Sequence, residues 1–154
     1  MRSPVLLRRP DADGFILIED QVVRILDRYR QWSPDLPEAG GILLGYRRER
    51  HLHVTDATIP REQDRRTRTR FHRSADPHRH AAHVRWRESG GTMDYLGEWH
   101  THPELDPSPS TIDEHGWVRI CRDRKAPMLF IIAGTLNHLW IGLGNGTDLQ
   151  RVSG

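Results

Sequence analysis

The stretch from Glu98 to Asp113, EWHTHPELDPSPSTID, concentrates side chains that can hold a metal and move a proton. His100 and His102 stand two residues apart, Pro103 follows, and after six more residues come Ser110 and Asp113. In a strand, residues i and i+2 point to the same face, so the two imidazoles can converge. Ser110-Thr111-Ile112-Asp113 reads as a capping box that opens a helix, and that role is compatible with Asp113 being a ligand, because the first helical turn fixes a carboxylate's position. Two imidazoles and one carboxylate leave a fourth tetrahedral position open, which is the composition of a catalytic rather than a structural zinc site. Zinc there would bring the pKa of a bound water to about 7. Hydrolysis also needs a group that takes the water's proton and returns it to the leaving amine. Glu98, on the same strand face as His100, and Glu38, at the lip of an apolar run beside Gly40 and Gly41, are both candidates, and spacing does not choose between them. Ser110 either caps the helix only or also hydrogen-bonds a developing oxyanion.

His-x-His alone says little. It occurs three times, as His51/His53, His78/His80 and His100/His102. Only the last pair ends an apolar strand and is followed by an aspartate at a helix start. His80 and His83 share a helical face but lack a carboxylate with comparable punctuation. Cys121, at helical spacing from Trp117, reads as core rather than nucleophile. As the only cysteine it excludes an internal disulfide and a cysteine-based zinc site, which favours a reducing compartment.

These residues need a scaffold. Val5 to Arg9 and Phe15 to Ile18 read as two small strands around Pro10 to Gly14. In the following segment Val22, Ile25, Leu26 and Tyr29 fall at i, i+3, i+4 and i+7, an amphipathic helix with Asp20 as N-cap, ended by Pro34 and Pro37. Ile42 to Leu44 is continuously apolar, as in a central strand covered on both faces, and Gly40 and Gly41 permit a turn or a close approach. His51 to Ile59 is a further strand. Pro60 to Arg73 is a long, basic, apolar-poor loop or hairpin: either a solvated surface loop or a partner-binding flap. Asp76-Pro77 opens a helix with proline at N1, which stops before Gly90-Gly91. Met93 to Trp99 is the core strand that delivers His100. Ser110 begins a helix that buries Trp117, Ile120 and Cys121. Pro127 to Ala133 and His138 to Leu143 form a hairpin through Gly134 to Asn137, and the polar tail from Asn145 onward is expected to fray. Strands and helices alternate without a second core, so residues 1–154 are expected to form a single layered α/β domain with its core over about residues 15–144.

Composition excludes several classes. Apolar residues make up 36%, with five tryptophans, enough for a packed interior. The formal charge of +2 does not itself call for nucleic acid, although the arginines of residues 61–73 form a local basic run. No apolar run approaches the roughly 18 residues of a membrane span or a signal peptide's core. A soluble, cytoplasmic protein without a membrane partner is expected.

His-Thr-His-Pro (100–103), six residues, then Ser110-x-x-Asp113 resembles the JAMM motif of the JAB/MPN/Mov34 metallopeptidases. Glu38-x-Gly-Gly-x-Leu-x-Gly45 resembles the segment that carries that family's glutamate. The likeness runs from about Ile18 to Leu143. It implies Zn2+ on His100, His102 and Asp113, Glu38 as general acid/base in preference to Glu98, and Ser110 stabilising the tetrahedral intermediate. It also implies a curved mixed sheet flanked by helices, similar to the cytidine deaminases. The implied reaction is cleavage of a peptide or isopeptide bond after a ubiquitin-like C-terminal tail. The short form, with GEWHTHPE and EAGGILLGY, looks most like the bacterial branch, which includes the deconjugating peptidase of CBASS anti-phage operons. A processing peptidase for ubiquitin-like or sulfur-carrier proteins and a noncatalytic MPN scaffold are the alternatives. A nucleic-acid role ranks last, since no base-reading motif is present. The interval after the last helix is too short for the docking insertion of many eukaryotic members, while the arginine-rich flap falls near the family's first insertion and suggests an acidic partner surface.

Overall fold

The computed structural model describes residues 2–152. Its frame is an eight-stranded mixed sheet in the order β1(Val5–Arg8), β2(Phe15–Ile18), β4(His51–Ala57), β3(Gly40–Arg48), β7(Asp94–Thr101), β8(Met128–Ala133), β9(Leu139–Asn145), β10(Asp148–Arg151). β2 runs parallel to β4 and β7 parallel to β8; the other pairs are antiparallel. Register shifts on β3, at Leu43/Leu44 against β7 and at Leu44/Gly45 against β4, are bulges that bend the middle of the sheet.

All six residues of β8 are buried, because both faces of this strand are covered. Leu129, Ile131 and Ala133 join one core with Val22, Val23 and Leu26 of α1(Asp20–Tyr29). Met128, Phe130 and Ile132 join the other with Trp117 and Cys121 of α3(Thr111–Arg124). The period of two along β8 therefore places α1 and α3 on opposite faces. α2(Ala75–Glu88) buries only His78. β7, α3 and β8 form a βαβ unit, so the chain leaves the C-terminal end of β7 and returns through the N-terminus of α3, where open α/β sheets build their sites. No helix among the described residues is long and apolar enough to cross a membrane.

Several boundaries differ from the sequence expectation. The N-cap of α1 is Glu19, not Asp20. The Glu19 carboxylate meets His53 Nε2 at 2.6 Å, while Asp20, inside the first turn, pairs with Arg24 at 2.8 Å. α1 ends at Tyr29, ahead of Pro34 and Pro37. Arg30 turns extended and bonds Asp27 and the carbonyls of Gly134 and His138. α2 starts at Ala75 with Ser74 as N-cap, which puts Pro77 at N3 rather than N1. The first turn's amides have no partner within the helix, so proline is tolerated there. β4 ends at Ala57, before Ile59. β7 runs two residues past Trp99, since His100 still pairs with both β3 and β8 and Thr101 with β8. The tail is not frayed from Asn145: β10 pairs with β9, Leu149 packs on the α3 core and Val152 is buried. Residues 60–73 form a hairpin with two-residue strands β5(Arg65–Arg66) and β6(Phe71–His72).

Gly41 marks where the central strands close up. A Cβ there would lie 2.1 Å from the carbonyl oxygen of Thr58. Gly41→Ala is expected to cost at least about 2 kcal/mol by overpacking, which in a domain of this size lowers Tm by roughly 4–8 °C. A thermal melt checks this; an unchanged Tm would mean that the β3–Thr58 contact yields freely.

Candidate active site

His100 is the penultimate residue of β7, and His102 follows just beyond its end. Thr101 between them turns inward. Its hydroxyl oxygen accepts the Ala39 amide at 3.0 Å and its proton goes to Gln31 Oε1 at 2.9 Å, while the Thr101 amide donates to the Ala39 carbonyl at 2.9 Å. Alternation then sends both imidazoles to the opposite side. The same zip places Glu38. Gly40 stands opposite His100 in the β3–β7 ladder, and Glu38 lies two residues further along on the histidine side. From Pro103 the chain crosses to α3. There Ser110 Oγ accepts the Asp113 amide at 3.1 Å and Asp113 Oδ2 accepts the Ser110 amide at 2.8 Å, the reciprocal capping box.

The three potential ligands converge. Nε2 of His100 and Nε2 of His102 are 3.0 Å apart, and Asp113 Oδ2 is 3.3 Å from the first and 3.1 Å from the second. A tetrahedral ion with bonds of roughly 2.0–2.1 Å would need donor–donor edges of about 3.3–3.4 Å. The donor triangle comes within a few tenths of an ångström of that. It is the one group of three or more His, Cys, Asp or Glu side chains among the described residues whose ligand atoms lie close enough to share a metal ion. The three line a cavity of about 630 Å³ together with the other candidates singled out in the sequence, Glu38, Glu98 and Ser110.

Burial acts differently on each group. It raises Asp113, but hydrogen bonds from His100 and His102 outweigh it and hold the carboxyl well below the usual range, as an ionised ligand. Burial lowers His102, but the hydrogen bonds to Asp113 and Glu104 prevail and raise it to about 8. Glu38 is 6% exposed. Burial pushes it up to about 7, against the pull of His100 and His102. A carboxyl poised near neutrality can both accept and return a proton. The rival glutamate is occupied: Glu98 Oε1 accepts from Arg73 at 2.9 Å and from the Tyr95 hydroxyl at 3.3 Å. Ser110 Oγ spends a lone pair on the cap, yet among the described residues its O–H has no acceptor, so it remains free to donate into the cavity.

The other histidines do different work. His51 Nδ1 accepts the Phe15 amide, His53 pairs with Glu19, and His78 is buried against Thr58 and Asp64. Two contributors went unread in the sequence. Glu104 Oε1 meets His102 Nδ1 at 2.8 Å and so fixes which imidazole nitrogen faces the site. Its place two residues after His102 was a legible signal. Gln31, which holds Thr101 from 70 positions away, gave none.

The chain matches the family model for prokaryotic homologs of the JAB domain over residues 19–150. A protein named CD-NTase/cGAS isopeptidase from Escherichia coli strain TW11681 is 37% identical over 142 residues, 92% of this chain and 90% of its own length. Its namesake from Vibrio cholerae serotype O1 is 40% identical over 143 residues, again 92% and 90%. A probable metalloprotease from Sinorhizobium fredii is 30% identical over 134 residues, 80% of each chain. A solution structure of a Desulfitobacterium hafniense protein, 22% identical, superposes with a TM-score of 0.59 over 88% of this chain and 87% of its own, and shares the fold. The match over residues 19–150, together with relatives of this identity, shows that the chain belongs to the prokaryotic JAB-domain family.

Proposed function

We propose that this chain is a zinc-dependent isopeptidase of the cytoplasm that frees proteins joined to the C-terminal tail of a CD-NTase, as in CBASS anti-phage defence. The convergence of His100, His102 and Asp113 beside a buried Glu38 in one cavity carries the proposal. The name shared by the E. coli and V. cholerae relatives supplies the substrate class. Two imidazoles and a carboxylate in a near-tetrahedral triangle suit zinc.

Zinc held by the triad would supply an acidified water and a Lewis acid for the scissile carbonyl. The protein's own groups do the rest. Glu38 accepts the proton of the attacking water at its carboxylate and returns it to the departing lysine amine, so its carboxyl ends each turnover as it began. Ser110 donates its free hydroxyl to the oxygen on which charge develops. Glu104 holds the His102 ring in the tautomer that presents Nε2 to the metal. The cavity runs between the 60–73 hairpin and α3, so an extended substrate tail would lie between Arg70 and Phe71 on one side and Ile112 and Ile120 on the other.

Elemental analysis is expected to find about one zinc per chain in wild type and in Glu38→Gln, and none in His100→Ala. Cleavage of a reporter protein fused to a CD-NTase C-terminus is expected in wild type only. Its rate should fall by at least about 100-fold in Glu38→Gln, the lower end for lost acid–base catalysis, and stop on chelation. No zinc in wild type would leave the noncatalytic scaffold reading in its place.

Zinc needs His102 neutral, and in the free protein this imidazole keeps its proton up to about pH 8. Zinc binding should therefore release a proton below that pH, and affinity should rise with pH toward about 8 and then level. Calorimetric titration in buffers of different ionisation enthalpy reads the proton directly; affinity independent of pH across this range would contradict it.

Arg68 and Arg70 are exposed and have no carboxylate partner among the described residues, whereas Arg73 is paired with Glu98. Arg68→Glu with Arg70→Glu is expected to raise KM for the conjugate several-fold and leave zinc content unchanged. Equal KM values would remove the hairpin arginines from substrate recognition.

A further inference from the structure

A second set of buried polar groups lies outside the site and demands a reason. His78 and the Asp64 side chain are both 0% exposed. His78 Nε2 is 2.7 Å from Asp64 Oδ2, and Nδ1 is 2.7 Å from Thr58 Oγ1. Thr58 Oγ1 already accepts the Ile42 amide at 2.8 Å, so its own proton points to His78 Nδ1, and His78 Nε2–H donates to Asp64. Burial, acting against the Asp64 hydrogen bond, holds His78 below its ordinary pKa, consistent with this neutral tautomer. The Thr58 carbonyl in turn accepts the Trp99 indole N–H at 2.9 Å. The set is thus bolted to β3 and β7.

Its other end is a clasp. Asp64 Oδ2 also accepts the Arg61 amide, and Oδ1 accepts the Ser74 amide, each at 2.7 Å. One carboxylate therefore closes both ends of the 60–74 excursion. The tip of that excursion reaches Glu38. The Glu38 amide donates to the Thr67 carbonyl at 2.7 Å, and the Glu38 carbonyl accepts from Arg66 Nε at 2.9 Å. Glu38 precedes β3, so its peptide groups have no place in the ladder, and the hairpin is what they are bonded to. Phe71 completes the span. Its ring meets His78 edge-on at 6.4 Å and lies where a Cβ on Gly40 would come within 2.8 Å of it.

We propose that His78 is a positioning residue for Glu38: it locks the neck of the hairpin through Asp64, and the hairpin holds the main chain of the glutamate in register with the histidines. Buried polar networks are costly unless complete, and when complete they specify one geometry. The cost of losing that geometry is catalytic, since a displacement of about 1 Å at a reacting group can cost about 100-fold in rate.

This rests on Glu38 as the acid/base of the proposed function. The test uses the zinc-loaded full chain and the CD-NTase–reporter fusion. His78→Ala is expected to keep one zinc per chain and to lower kcat by about 100-fold, with KM changed less than about threefold. Hydrogen exchange should quicken over residues 36–40 and 60–74. His78→Gln, whose amide can donate to Asp64 and accept from Thr58, should recover most of the rate. In a Glu38→Gln background, His78→Ala should cost nothing further. An unchanged kcat despite faster exchange overturns the proposal, as does an equal loss on top of Glu38→Gln. If His78→Ala does not fold, exposed Arg66→Met tests the far end of the chain. A loss of about tenfold in kcat with zinc retained is expected, on the scale of one charge-assisted hydrogen bond, and an unchanged kcat overturns the proposal. Full activity in Glu38→Gln alone would instead sink the functional reading, while the exchange result would still report on the clasp.

Discussion

Everything in this fold answers to the crowding of two imidazole nitrogens and one carboxylate oxygen within 3.3 Å of one another. Side chains left to themselves would not gather so; the desolvation of each group opposes it. The histidines are placed by a strand buried between two neighbours, the aspartate by a helix start whose cap it closes with the same oxygen that faces the histidines. Neither arrangement has slack. β7 ends where the site begins, and the βαβ connection from β7 through α3 to β8 brings the ligands together from a stretch of fourteen residues.

The short span of that stretch is why the site could be read from the sequence. Ligands spaced by strand and helix periods leave a pattern in the chain, and the capping box that announced α3 is present as expected. Glu38 was set above Glu98 only through family likeness, because its partnership with the histidines runs across a strand pair and through Thr101 and Ala39. Glu98 was an equal candidate on spacing, and what separates the two is an arginine twenty-five positions away. The clasp around His78 was less legible still. Three histidines within six residues invited a ligand reading of that helix, while the two partners that explain His78 sit in another segment.

Element boundaries followed the same rule. α1 and β7 were both expected from the sequence, but their ends were set by distant groups: the carbonyls of Gly134 and His138 that capture Arg30, and β8, which keeps pairing through Thr101. β10 was missed because an edge strand has one neighbour and a largely exposed surface, so Leu149 is its only apolar mark, with Val152 just past its end, in a polar tail.

The hairpin that lines the cleft is attached in a way that bears on its proposed part in substrate recognition. Much of its hold on the body runs through carbonyls, that of Thr67 to Glu38 and that of Arg68 to Gln31 at 2.7 Å. Carbonyls are common to every residue type. The outward side chains of Arg68 and Thr69 can therefore be exchanged without loosening the frame beneath. The architecture separates the backbone frame that holds Glu38 from the side chains that face outward, so, on the proposed function, one hydrolytic apparatus could follow a changing partner by rewriting a few exposed letters.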